Sequence, residues 1–478
     1  MRRPNPILAL VALLAFLVSG RPSAFEVPVA AAELQIKWPT RNIQVALSTS
    51  LTAPSPAIKA DSDVLGAVRR ALASWSRAAN VNFVEVTSKL QSVSPVNSGD
   101  GVSLITVAAT EENLALFSEG NTTARTRVFY DPDSGDISEA DIVINPFPYS
   151  GDTSLQFSTD GSVGTYDLES TLAHELGHLL GLGHSRVIGA TMQATQALNG
   201  TYGLPATTER TLSEADQAAV RSLYETPEKV GSIEGRIQNN IDGSLVPVAA
   251  GHVWIEDLET GRVIAGGVTN ALGRFNLSGV PEGNYRAMVE YVQSPSAGSA
   301  ATAAETLTTT ELPTAAELPA VAELSTAVDR KPALRQRAFR SVEIAGRLRV
   351  TADKPVALNY VLVPPQNSSP ALRPRFIGIN SELSTVPVPA TAGKKLTLSV
   401  AGEGLDLIPG SGLVFNSPFI TVDQASLGLP QLRGATLVIT FDVTIAANAP
   451  PGDYSVRLQA NSGEVAYLVG GIKVNPAR

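Results

Sequence analysis

The segment Leu172–Ser185, LAHELGHLLGLGHS, restricts the local fold more than any other stretch of the chain. It holds three of the four histidines in 478 residues. On a helix, His174 and His178 are four residues apart, so both imidazoles project from one face and can meet a single metal ion. Gly181 has no Cβ, so it can adopt a left-handed conformation, end the helix and bring His184 round as a third ligand. The segment therefore predicts a helix, a sharp turn and a metal site.

Glu175 is the next residue after His174, and its carboxylate can reach a water held on such a metal. Three imidazoles that leave a fourth position open are typical of catalytic zinc, because structural zinc is closed by four protein ligands. The alternative is a core helix, since the many leucines in this segment can simply pack. Three histidines and a glutamate in this register favour the metal site, and burial is compatible with both interpretations.

The stretch HELGHLLGLGH resembles the HExxHxxGxxH signature of the metzincin zinc endopeptidases. Ser185, after the third histidine, is similar to the matrixin branch of that group. Met192 lies eight residues after His184 and resembles the methionine of the turn beneath the metzincin zinc, although the proline that usually follows is missing. The resemblance extends over residues 33–228, where the first and last helices and the segment before the active-site helix are similar to their matrixin counterparts.

This resemblance implies a zinc-dependent metalloendopeptidase that acts on proteins or peptides. It implies one catalytic Zn²⁺ on His174, His178 and His184, with Glu175 as the general base. Met192 and Gly181 would support the site without ligating the metal. Two alternatives stay open: an extracellular adhesion or binding protein with a vestigial protease domain, and a protease that cuts only itself. The intact glutamate argues against a dead site.

The stretch DPDSGDISEAD carries four carboxylates, on Asp131, Asp133, Asp136 and Asp141. Carboxylate oxygens suit Ca²⁺, so a calcium site and a solvated acidic turn are both consistent with this pattern. The chain has no cysteine, which excludes disulfides and thiolate metal sites. The fourth histidine, His252, falls in a strand pattern, and we assign it no metal role.

The net charge of the chain bears on its binding partners, and its N-terminal pattern bears on its location. A net charge of −9 with 17% charged residues gives no electrostatic case for binding nucleic acid or anionic lipid. Residues 1–32 have the pattern of a secretory signal peptide and a short leader. In them, Arg2 and Arg3 precede an apolar run that is too short to span a bilayer comfortably, which favours a cleaved signal peptide over the alternative of an uncleaved membrane anchor. We therefore expect a secreted protein, extracellular or periplasmic, with no stable membrane span after cleavage. A secreted protein without disulfides fits a bacterial origin better than a eukaryotic one.

A chain of 478 residues is too long for one compact core. We predict a multidomain protein in which an α+β catalytic domain, with a twisted mixed sheet and three main helices, precedes two all-β sandwiches. The catalytic domain spans residues 33–228. The first sandwich spans 229–293 and 338–366, with a low-complexity insertion at 294–337, and the second spans 370–478.

Both sandwiches resemble known families. Six positions fit the repeat pattern of the carboxypeptidase regulatory-like sandwich: Thr269, Gly273, Phe275, Pro281, Gly283 and Tyr285. Residues 370–478 resemble an immunoglobulin-like or IPT-type sandwich. These resemblances imply folds only, with surface or matrix contacts as one role for the β domains. The insertion is rich in Ala, Thr, Pro and Glu, and we expect it to be disordered or extended.

Overall fold

The structure, a computed structural model, describes residues 35–96, 98–117, 122–150, 153–224, 230–241, 243–291, 309–311, 340–352, 354–362, 371–434 and 436–476. The predicted signal peptide and leader lie outside these residues, as does the predicted insertion apart from residues 309–311. No helix in the described ranges is long and apolar enough to cross a membrane.

The first domain combines helices with a five-stranded sheet. Its helices are α1 (Val64–Ala78), α2 (Glu111–Ala115), α3 (Leu168–Leu179) and α4 (Glu214–Tyr224). Its strands are β1 (Asn42–Ser48), β2 (Asn82–Ser88), β3 (Leu104–Thr106), β4 (Ala124–Tyr130), β5 (Ile137–Ile144), β6 (Tyr149–Ser150), β7 (Thr153–Ser154), β8 (Phe157–Ser158), β9 (Tyr166–Asp167) and β10 (Thr195–Ala197).

The sheet runs in the order β2-β1-β3-β5-β4. Strand β1 is parallel to β2 and β3, and β3 is parallel to β5, whereas β4 is antiparallel to β5. The predicted mixed sheet is therefore confirmed. The sequence pattern does not predict β4, which forms an edge of this sheet and packs against α3.

Helix α3 lies in the centre of the first domain, and every one of its residues is buried. It begins at Asp167, whose side chain accepts a hydrogen bond from the Ser170 N–H at 2.8 Å, as an N-cap residue does. The fully buried Trp75 of α1 donates its indole N–H to the carbonyl of Ala173 at 2.8 Å. The helix that carries the histidines is therefore also a core helix, which was the alternative interpretation of its leucines.

The second domain is built from two four-stranded sheets. Its strands are β11 (Gly231–Ile241), β12 (Ser244–Pro247), β13 (Gly251–Asp257), β14 (Val263–Val268), β15 (Arg274–Val280), β16 (Gly283–Tyr291), β18 (Val342–Val350) and β19 (Val356–Leu362). Strand β16 pairs with β18, and β11 pairs with β19, so strands from both sides of the predicted insertion share these sheets. His252 lies on β13, as predicted, with Nδ1 3.0 Å from Oε1 of Glu290.

Within the predicted insertion, the structure describes one strand, β17 (Thr309–Glu311), which pairs antiparallel with β10 of the first domain. The strands of the third domain are β20 (Arg373–Gly378), β21 (Val388–Ala390), β22 (Lys395–Glu403), β23 (Leu413–Phe415), β24 (Ile420–Asp423), β25 (Gln431–Arg433), β26 (Thr436–Ile445), β27 (Gly452–Gln459) and β28 (Val465–Val474). They form two sheets, one ordered β20-β22-β26-β24, with β25 also paired to β26, and the other ordered β21-β28-β27-β23.

The three domains meet at a buried junction. Arg262 of the second domain donates from Nη1 to Glu214 of α4 at 3.0 Å and to the carbonyl of Pro451 in the third domain at 3.3 Å. Asp453 of β27 is completely buried here, and neither carboxylate oxygen has a hydrogen-bond partner among the described residues. Burial raises the pKa of Asp453 to about 7, although the nearby Lys473 ammonium opposes the rise.

The Asp453 carboxyl should make stability fall as the pH rises. In the unfolded chain this group releases its proton near its ordinary pKa of 3.8, whereas the folded protein retains it until about 7. Because Asp453→Asn cannot ionise, its stability relative to the wild type should grow by about 2–3 kcal/mol between about pH 5, where the folded wild type still holds the proton, and about pH 8, where it has lost it. Urea unfolding of both proteins at the two pH values measures this. An identical pH dependence in both would contradict it.

Candidate metal centre

The turn after α3 depends on Gly181. Its φ is +94°, in the left-handed region, and the Leu182 N–H donates back to the Gly177 carbonyl at 2.9 Å. A Cβ at Gly181 would lie 2.1 Å from the carbonyl oxygen of Ile36, so no side chain fits at this position. The predicted left-handed turn at the helix end is confirmed.

This turn brings three histidines together. The ligand nitrogens of His174, His178 and His184 all lie within 4.8 Å of one another. The Nδ1 of His174 lies 2.8 Å from the carbonyl oxygen of Thr191, and the Nδ1 of His178 lies 2.8 Å from that of Leu182. Because a carbonyl can only accept, each Nδ1 carries the proton and each Nε2 keeps a free lone pair.

The two Nε2 atoms, on His174 and His178, face each other 3.1 Å apart. Two unprotonated nitrogens cannot form a hydrogen bond with each other. A metal cation between them would accept a lone pair from each nitrogen and so replace the repulsion by two favourable bonds. Tetrahedral zinc, with Zn–N bonds of about 2.0–2.1 Å, holds its ligand nitrogens about 3.3 Å apart. Burial lowers the pKa of His174 to about 4 and of His178 to about 3, so both rings are neutral at neutral pH, as metal ligands must be. The residues fit zinc.

Glu175 lies beside the histidines and is almost completely buried. The hydroxyl of Thr126, on β4, donates to its Oε2 at 2.5 Å. Since the sequence pattern does not predict β4, it could not indicate Thr126 as a partner of the glutamate. The carboxylate is therefore oriented from the edge strand as well as from its own helix.

Met192 packs directly beneath α3. A Cβ at Gly177 would lie 2.1 Å from the Met192 sulfur, so the thioether fills the space that the glycine leaves on the helix. The Met192 carbonyl accepts a hydrogen bond from the Ser185 N–H at 2.7 Å. Met192 and the histidine segment are therefore in direct contact.

Asp216 on α4 holds the methionine turn from below. Its carboxylate accepts N–H hydrogen bonds from Thr191 at 2.7 Å and from Met192 at 3.2 Å. It also forms a capping box, in which Ser213 and Asp216 each bind the main-chain N–H of the other at 3.0 Å. The three-residue spacing of this pair is typical of such a box, but nothing in the spacing along the chain indicates that the same carboxylate reaches the turn.

A small cavity opens beside His174 and Glu175. It is also lined by Thr123, Ser170, Thr171, Thr191, Gln193, Thr195, Gln196 and Glu209. Four of these lining residues belong to the stretch 193–210, which we name the wall segment. Its volume of about 10 Å³ has room for no more than one water molecule, so the cavity marks the wall of the site beside the general-base candidate and not a formed side-chain pocket.

The four aspartates proposed for calcium do not come together. Asp131, Asp133 and Asp136 lie at the turn between β4 and β5, where Asp131 accepts the Asp133 N–H at 2.8 Å. Asp141 is buried on β5, and its two oxygens each accept a main-chain N–H at 2.9 Å. In the described ranges, the histidine group is the only cluster of three or more His, Asp or Glu side chains close enough to hold a metal. Calcium binding stays a prediction.

Comparison with known proteins agrees with this geometry. Residues 117–225 match the family model described as Peptidase_M10: Matrixin. The protein contains a matrixin-like domain. Metalloendoproteinase 1 of Glycine max is 28% identical over 184 residues, which are 37% of this chain and 51% of the relative. The chain thus spans about half the length of this curated relative, and the match supports a metalloprotease at the level of the family.

Among solved structures, the similarity is weak. The major pilin subunit BcpA of Bacillus cereus is 10% identical, with 50% of this chain and 67% of that chain covered and a TM-score of 0.14. The full-length RrgB pilus protein of Streptococcus pneumoniae is 13% identical, with 50% and 48% covered and a TM-score of 0.17. Such TM-scores are far below those of chains that share a fold. The two family resemblances of the β domains stay predictions.

Two glycines of the matrixin-like domain provide a matched pair of variants. Gly181→Ala places a Cβ against a main-chain oxygen at a left-handed φ and should cost at least about 1–3 kcal/mol of unfolding free energy. It should also lower the zinc content, because the turn positions His184. Gly183→Ala has nothing within 4 Å of its Cβ and should change neither stability nor zinc content. Thermal unfolding and metal analysis compare them, and equal effects in both variants would contradict the role of the turn.

Proposed function

We propose that this protein is a secreted zinc-dependent endopeptidase in which Glu175 is the general base. The observation that carries the proposal is the convergence of three histidines, two of them neutral and with their free Nε2 atoms facing each other, beside a buried glutamate. His174, His178 and His184 would hold the metal. Bound zinc supplies a Lewis acid that activates a water molecule and polarises a peptide carbonyl.

The residues around the metal support this chemistry. Glu175 is the carboxylate placed to take a proton from the attacking water and return it to the leaving amine. The Thr126 hydroxyl keeps this carboxylate in one orientation by donating to Oε2. Met192 supports the helix from below and ligates nothing. Full burial of α3 keeps the histidines fixed and limits the access of bulk water.

A peptide substrate suits the surroundings of the site. Strand β4 is an edge strand of the described sheet, and its Thr126 contacts Glu175, so this edge passes the metal site. An extended peptide can add to such an edge through main-chain hydrogen bonds. The peptide would then run past the wall segment beside His174 and Glu175. Secretion rests on the signal-peptide pattern of residues 1–32 and is part of the proposal.

Glu175→Ala separates metal binding from catalysis. The variant should keep about one zinc per chain, because the three histidines are intact, and should lose peptide hydrolysis by about 100-fold or more, because the general base is gone. Metal analysis and the cleavage rate of a peptide library measure the two properties. Full cleavage by a zinc-loaded variant would sink the assignment of Glu175.

A chelator experiment on the full chain tests the proposal as a whole. Cleavage of the library that stops with the chelator and returns with zinc supports an endopeptidase acting in trans. Cleavage of the chain alone, with the library intact, would indicate a protease confined to itself. A zinc-loaded protein that cleaves neither would overturn the proposal and favour a binding protein with a vestigial protease domain.

A further inference from the structure

The wall segment, residues 193–210, is not an independent loop of the matrixin-like domain. It lines the cavity beside His174 and Glu175, and one of its lining side chains contacts the third domain directly. The Gln193 side-chain amide donates to the Thr385 carbonyl of the third domain at 3.4 Å. A hydrogen bond therefore connects the cavity wall directly to the third domain.

The tip of the wall segment is anchored at Tyr202. Its hydroxyl lies 2.8 Å from the carbonyl oxygen of Ile377 and 3.0 Å from that of Val386. Its main-chain N–H donates to Glu382, and its carbonyl accepts from the Asn380 amide at 2.8 Å. Tyr202 has a φ of +62°, which is unfavourable for a side chain of this size and persists only where the surroundings impose it.

The stem of the wall segment is tied by Lys473 of β28. Its ammonium donates to the carbonyl of Gly189 at 2.9 Å and to that of Thr211 at 2.8 Å. These two residues flank the wall segment and Met192, so a single buried side chain of the third domain joins both ends of the loop. The Thr211 carbonyl is also within 3.4 Å of the hydroxyl of Thr191, which lines the cavity.

Apolar packing also connects the wall segment to the third domain. Ala197, Tyr202 and Ala206 belong to the hydrophobic cluster that forms the core of the third domain. Protein interiors are close-packed, so residues that complete a core cannot move freely without opening a void. The conformation of the wall segment therefore depends on the third domain as much as on the domain to which it belongs in sequence.

We propose that the third domain determines the side-chain specificity of the protease through the wall segment, with Tyr202 and Lys473 as positioning residues. The inference rests on the proposed endopeptidase function and extends it. By fixing the tip and the stem of the wall segment, the third domain sets the conformation of the residues beside His174 and Glu175, where the peptide would bind. Neither positioning residue contacts the metal ligands.

The test compares two tyrosines that are both almost completely buried. Tyr202→Phe removes the hydroxyl that binds the carbonyls of Ile377 and Val386. Tyr454→Phe removes a hydroxyl whose one hydrogen-bond partner among the described residues is the Pro450 carbonyl, at 2.7 Å, within the third domain. Cleavage of a peptide library that varies the residues on both sides of the scissile bond gives the specificity profile, and kcat and KM are measured on one good substrate.

Tyr202→Phe should change the relative preference for large and small residues by about tenfold, with KM affected more than kcat and zinc content unchanged. Tyr454→Phe should keep the wild-type profile. A Tyr202→Phe profile and KM equal to those of the wild type would overturn the inference, as would the same change in both variants. If Tyr202→Phe does not fold, Asn380→Gly removes a contact to the tip from an exposed position whose φ of +55° suits glycine.

Hydrogen exchange on the same full-length proteins separates this inference from the proposed function. Amide exchange in the wall segment should rise at least about tenfold in Tyr202→Phe and stay at the wild-type rate in Tyr454→Phe. A zinc-loaded wild type without proteolysis would defeat the endopeptidase proposal and, with it, the specificity role, whereas the exchange result would still report the anchoring. Proteolysis with unchanged exchange and profile would defeat the anchoring inference alone.

Discussion

Thr191 is the residue through which the metal site is joined to the rest of the molecule. Its carbonyl accepts the Nδ1 proton of His174, and its N–H donates to Asp216 at the start of α4. The aspartate also holds the N–H of Met192, whose sulfur packs on α3. One main-chain unit therefore connects the histidine helix, the methionine turn and the last helix. Because the imidazole proton is committed to this carbonyl, the ring can offer the metal only its other nitrogen.

The same region is where the domains come together. Asp216 lies on the helix whose first residue, Glu214, receives Arg262 of the second domain. The two ends of the methionine turn and the wall segment receive Lys473 of the third domain. Burying an ammonium is costly unless its donors are satisfied, and here main-chain carbonyls of another domain satisfy two of them. The interface therefore fixes the position of the third domain, because a small shift would leave the Lys473 ammonium without these two acceptors.

Much of the structure could be predicted from local sequence patterns. The spacing of Val68, Leu72 and Trp75 predicts α1, and the histidine segment predicts α3 and its left-handed end at Gly181. These features depend on neighbours within a turn or two of the chain. The partner of Glu175 on β4, the reach of Asp216 and the docking of Tyr202 could not be predicted in this way. The Tyr202 hydroxyl and the Ile377 carbonyl, for example, are 175 residues apart in sequence, and no periodicity encodes such a contact.

The pairing of β16 with β18, and of β11 with β19, has a consequence for the covalent chain. The two ends of the interrupting stretch leave and re-enter the same pair of sheets, so the second domain is closed by hydrogen bonds and packing rather than by the peptide links between them. The entropic cost of linking two such fixed ends grows slowly, by about 0.6 kcal/mol for each doubling of the number of linking residues. The pairing of the described strands should therefore tolerate a longer or a shorter link at this point of the chain.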